Sequence, residues 1–105
     1  MIDHMATDTD IREALRHVID PELGVNIVDL GLVYLTAIHG ERARVEMTMT
    51  SPACPLSEYL QDLVDSTIKA RLPEVHEVEI VFVWEPPWNP DMMSDDAKRL
   101  LDGGR

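Results

Sequence analysis

Apolar residues recur at the spacing of one helix face at Ile11, Leu15, Val18 and Ile19, while Arg12, Glu13, Arg16 and His17 fall on the other side. The pattern predicts a first amphipathic helix. Asp10 with Glu13 three residues on resembles a capping box for its start. Pro21 disfavours helical backbone at Asp20, so the helix is expected to stop there. The stretch DPELGVNIVDLG from Asp20 to Gly31, with three acids and two glycines, reads as a structured loop.

The period then changes to two. Leu32 to His39 is rich in β-branched and aromatic residues, and Gly40-Glu41 links it to a second strand from Arg42 to Met49, giving a hairpin. Ala43, Val45, Met47 and Met49 alternate with Arg42, Arg44, Glu46 and Thr48, which predicts one buried and one polar face, with Thr48 and Thr50 on the polar side. Pro55 suits the first turn of a helix whose stripe, Leu56, Leu60, Leu63, Val64, Thr67, Ile68 and Leu72, ends before Pro73. A third strand is expected over Glu77 to Trp84, with Val78, Ile80, Phe82 and Trp84 on one face. Pro86, Pro87 and Pro90 stiffen an irregular loop that leads to a last short helix, capped by Ser94 and favoured by Asp95 and Asp96 at its positive end. The order helix-strand-strand-helix-strand-helix predicts a two-layer α+β domain over residues 10–102, a small sheet with helices on one face. Residues 1–9 read as a flexible N-terminus, in which 1–4 resemble a tag remnant.

Composition narrows the function classes. With 105 residues, 45% of them hydrophobic, the chain fits one core. Twenty acidic against nine basic residues give a net charge of −11, which repels phosphate backbones and anionic lipid. Nucleic acid and membrane are therefore not expected partners. A single cysteine cannot form an internal disulfide, and no apolar run approaches the roughly 20 residues of a membrane span, so a reducing, cytoplasmic location is expected.

That cysteine, Cys54, falls where a strand hands over to a helix, and a helix N-terminus favours the thiolate that binds metals. A small buried hydrophobe is an equally good reading of a lone cysteine. One thiolate cannot hold a conventional iron-sulfur cluster, so a cluster here needs ligands from a second chain, a small thiol or a partner. Asp20, Glu22 and Asp29 could bind a hard cation, but more often such acids shape turns. Thr48, Thr50 and Ser51 could orient a ligand or the sulfur, although threonines in a strand need no such role. His17, His39 and His76 show no zinc spacing, and no phosphate-binding glycine loop is present. Trp84 and Trp88 flank two prolines as candidate partner anchors, with Trp84 expected inside and Trp88 nearer the surface.

Four blocks in order, DPELG (Asp20 to Gly24), VDLGLVY (Val28 to Tyr34), TMTSPACP (Thr48 to Pro55) and VWEPPWNPDMMS (Val83 to Ser94), resemble the SufT-like and PaaD-like family of iron-sulfur assembly domains, formerly a domain of unknown function. The resemblance implies an α+β fold and a non-enzymatic accessory role in assembling iron-sulfur clusters or delivering them to apo client proteins. It maps a reactive cysteine onto Cys54, paired threonines onto Thr48 and Thr50, and loop acids onto Asp20, Glu22 and Asp29, with Ser51 and Pro55 in the same block. The implied cargo is a labile cluster shared between chains, as in a homodimer, or with a partner of the assembly machinery. A pure adaptor with a structural Cys54 is the alternative, and a thiol enzyme a more distant one. The chain shows no cysteine-rich C-terminal segment of the kind associated with the ring-oxygenase branch, so the general assembly branch fits better.

Overall fold

In the computed structural model, residues 6–21, 23–49 and 57–102 are described. Helix α1 spans Asp8–Leu15 and buries Ile11, Ala14 and Leu15. Its capping box lies one turn earlier than expected. The Thr7 hydroxyl accepts the Asp10 N–H at 3.1 Å and the Asp10 carboxylate accepts the Thr7 N–H at 3.0 Å. Starting at Thr7 places Ile11, which is fully buried, inside the helical ladder through its N–H to the Thr7 carbonyl.

The helix also ends earlier than Pro21 requires, because the residues that follow have other backbone partners. Ile27 donates to Val18 O and Asp20 to Val25 O, each at 3.0 Å, and Ile19 bridges Asn26. Val18 remains in the core, so its apolar character serves this loop packing and not a continued helix.

Strands β1 (Val33–His39), β2 (Arg42–Met47) and β3 (Glu77–Phe82) form one sheet in the order β1-β2-β3. β2 pairs antiparallel with β1 and parallel with β3. Gly40 takes a φ of +62° in the two-residue link, a conformation that glycine adopts without steric cost. Facing pairs Ala43–Val78, Val45–Ile80 and Met47–Phe82 set the apolar side, opposite the Arg44–Glu79 pair. Helix α2 (Ser57–Arg71) makes the crossover and buries Leu60, Val64 and Ile68, one turn apart each. Burying each such side chain contributes roughly 2 kcal/mol.

Two departures from regular pairing position the remaining chain. Val33 faces Met47 and Leu35 faces Glu46, so Tyr34 is an extra residue on β1, a bulge that turns its ring out of the ladder. At the other end β2 stops at Met47, two residues short of expectation. Thr48 and Met49 are both buried there, which breaks the alternation that assigned Thr48 to the polar face. Helix α3 (Asp95–Asp102) follows a single 3-10 turn, Pro90–Met92; its N-cap is Ser94, whose hydroxyl accepts the Ala97 N–H at 3.1 Å.

Candidate functional site

The segment from Asp29 to Leu32 is where the chain's distant parts meet. Asn26 and Asp29 exchange hydrogen bonds, Asn26 Nδ2 to Asp29 Oδ2 at 2.7 Å and Asp29 N to Asn26 Oδ1 at 2.9 Å. Arg16, the C-cap residue of α1, adds an ion pair to Asp29 Oδ1 at 3.0 Å. The Asp29 carbonyl accepts the Ser94 N–H at 2.7 Å. Asp29 therefore ties α1, its own loop and the start of α3 together. The Asn26 amide, followed by the Arg16 guanidinium, holds its carboxyl below the usual range against the opposing effect of partial burial. Asp29 in turn raises Arg16, with Glu13 second.

The next residues continue the joint. The Trp88 indole N–H donates to the Leu30 carbonyl at 2.7 Å. Gly31 has a φ of +80°, and a Cβ there would collide with the backbone carbonyl of Met92. Only glycine satisfies both conditions. Tyr34, freed by its bulge, donates to Pro86 O at 2.7 Å and lies 3.6 Å from Met92 Sδ. The VDLGLVY and VWEPPWNPDMMS blocks thus hold each other.

This corrects the expected roles of the two tryptophans. Trp88 is half-buried and bonded, whereas Trp84 is 43% exposed and stacks on Phe82 with ring centroids 6.4 Å apart. β3 ends at Phe82, two residues before Trp84, so the alternating pattern no longer governs it.

Asp20 is buried and serves a turn. Its Oδ1 accepts the Leu23 N–H at 3.2 Å, and its carbonyl accepts the Gly24 N–H at 2.8 Å. Among the described residues no three His, Cys, Asp or Glu side chains converge on a metal position. Cys54, Glu22, Thr50, Ser51 and Pro55 lie outside the described residues.

Thr48 is the one expected ligand-orienting residue within them. Its N–H donates to Leu32 O at 2.8 Å, yet its hydroxyl, on a residue only 1% exposed, has no hydrogen-bond partner among the described residues. Leaving such a group unpaired costs roughly 1–3 kcal/mol. It stands six residues before Cys54, just past the end of the central strand.

Several positioning residues do not stand out in the sequence. Arg16, Asn26, Gly31 and Tyr34 all serve the joint at Asp29–Tyr34. The Asn26-x-x-Asp29 spacing carries a readable signal, since it reproduces the reciprocal geometry of a capping box.

Residues 8–80 match the family described as iron-sulfur cluster assembly protein. The chain is 49% identical over 85 residues to the Fe-S protein maturation auxiliary factor SufT of Staphylococcus aureus (strain USA300), covering 80% of this chain and 96% of that protein. It is 46% identical over 97 residues to the maturation auxiliary factor YitW of Bacillus subtilis (strain 168), covering 91% and 94%. The fold matches the crystal structure of a domain of unknown function from Bacillus anthracis with a TM-score of 0.87 and 42% identity, over 90% of this chain and 91% of that one. With the matching region running from the first residue of α1 through most of β3, and with two motif blocks locked together in space, the chain belongs to the iron-sulfur cluster assembly protein family.

Proposed function

We propose that this protein is a non-catalytic accessory factor that receives a labile iron-sulfur cluster, or its iron, and passes it to apo client proteins in the cytoplasm. The observation that carries this reading is the buried Thr48 hydroxyl at the end of β2, without a hydrogen-bond partner among the described residues and in the same motif block as Cys54. A hydroxyl kept dry without a partner is a cost that a passing ligand can offset. Cys54 supplies a thiolate ligand, and the remaining ligands come from a second copy, a small thiol or the client. Weak, shared ligation favours release over storage. Thr50, Ser51 and Pro55 belong to the same motif block, and Asp20, Glu22 and Asp29 are the acids of the loop block that precedes it in sequence. The relatives named as Fe-S protein maturation auxiliary factors support this reading. Among the described residues no helix is long and apolar enough to cross a membrane.

Anaerobic reconstitution with iron and sulfide, read by visible absorption, tests it. Wild type is expected to take up a cluster that Cys54→Ser loses; equal uptake by both removes Cys54 as a ligand. A native mass of the reconstituted protein gives the number of chains sharing the cluster.

The exposed Trp84, stacked on Phe82 beyond the end of β3, favours a second reading as an adaptor. An aromatic anchor of this kind suits a protein interface. Under that reading Trp84→Ala loses assembly partners in pull-down while Cys54→Ser retains them.

A further inference from the structure

Arg16, Arg42, Arg44, Lys69 and Arg99 each sit against a carboxylate. Arg12 does not. It is half-buried on α1, carries Asp8 one turn before it in the spacing that commonly pairs, and still makes no ion pair or hydrogen bond within the described residues. It lines a groove of about 520 Å³ between α1 and the joint, together with Val28, Val33, Tyr34, Pro86 and Met92. A half-buried guanidinium with no partner among the described residues can pair with a carboxylate that arrives from outside.

We infer that this groove docks an acidic side chain flanked by an apolar one, presented by a partner protein. The guanidinium offers two parallel N–H donors that match a carboxylate, and the apolar side chains beside it offer contact to an apolar neighbour. A single cation among apolar walls suits a monoanion with an apolar neighbour. Phosphate groups carry more charge and no apolar body, so a single guanidinium beside apolar walls matches them less well. Its volume, in the range of a small binding site, accommodates one or two side chains. The choice of a protein as partner rests on the proposed role in delivery to clients. The described residues that line the groove all lie outside the Thr48 to Pro55 block, and Tyr34, Pro86 and Met92 are held by the same bonds that close the joint.

The test is an NMR titration of the metal-free protein with acetyl-Leu-Glu-Leu-amide and with its Gln analogue. Saturable shifts are expected at Val28, Val33, Tyr34 and Met92, at least fivefold weaker for the Gln peptide and for Arg12→Gln, and partly restored in Arg12→Lys. Thermal melting of both variants verifies that they fold. Equal affinity for the two peptides, unchanged binding by Arg12→Gln, shifts elsewhere, or no shift at millimolar peptide overturns the site. Octanoate producing the same shifts at lower concentration than the peptide overturns the partner class in favour of a small acid. Because the titration uses no metal, a null result beside Cys54-dependent cluster uptake rejects the groove alone, and peptide binding beside Cys54-independent uptake rejects the cluster reading alone.

Discussion

The joint at Asp29–Tyr34 and the end of β2 differ in how completely their polar groups are matched. At the joint, the Asp29 carboxylate, the Leu30 carbonyl, the Trp88 indole and the Tyr34 hydroxyl all have partners within 3.0 Å. At the strand end, Thr48 keeps a dry hydroxyl without one among the described residues, and beyond the end of β3 Trp84 leaves its ring in solvent. A fully satisfied network fixes geometry. An unsatisfied buried group carries a desolvation cost that the satisfied one does not.

Mutations can break that contrast. The largest effect is expected at Trp88, where Trp88→Ala removes a packed ring and strands the Leu30 carbonyl, costing about 3 kcal/mol in denaturant unfolding. A loss below about 1 kcal/mol would mean that the joint does not hold the C-terminal segment. Asp29→Asn should cost about 1 kcal/mol near neutral pH by weakening the Arg16 and Asn26 bonds. Since the folded carboxyl titrates below its unfolded value of about 3.9, its stabilisation is complete above that pH and fades as pH falls through the folded value. The melting temperatures of wild type and the Asp29→Asn variant should therefore converge in acid. The smallest change, and of opposite sign, is Thr48→Val, expected to raise stability by up to about 1 kcal/mol while lowering cluster uptake. A destabilised Thr48→Val protein would show that the hydroxyl is matched after all and erase the difference between the two regions.

Much of the architecture is legible in the sequence because local chemistry decides it. The stripe Leu60, Val64 and Ile68 spans a long helix whose period no other element could use, and the Gly40-Glu41 link between alternating segments specifies a hairpin. The element order and the α+β class follow from these. The misread details lie where a partner is remote. Trp88 is held by a carbonyl 58 positions away and cannot be read from its own neighbourhood, whereas Asp29 shows its local Asn26 partner in sequence but not its Arg16 pair thirteen positions back. Alternation fails at Thr48 and at Trp84 for one reason: each stands just past the point where the ladder ends. The motif blocks are legible as a family signature, but why two of them occur together is visible only in the close approach of Gly31 to Met92.

The placement of β2 between a local and a distant neighbour also sets a folding sequence. The β1-β2 hairpin closes through two residues and can form within about 1–10 μs. β3 must wait for the chain through α2 to return, which delays its pairing by the entropy of a longer loop. During that interval Ala43, Val45 and Met47 lie on a strand whose second edge is bare. Until β3 pairs, β2 presents the kind of bare edge on which another strand can pair. Rapid completion of α2 is what shortens that exposure.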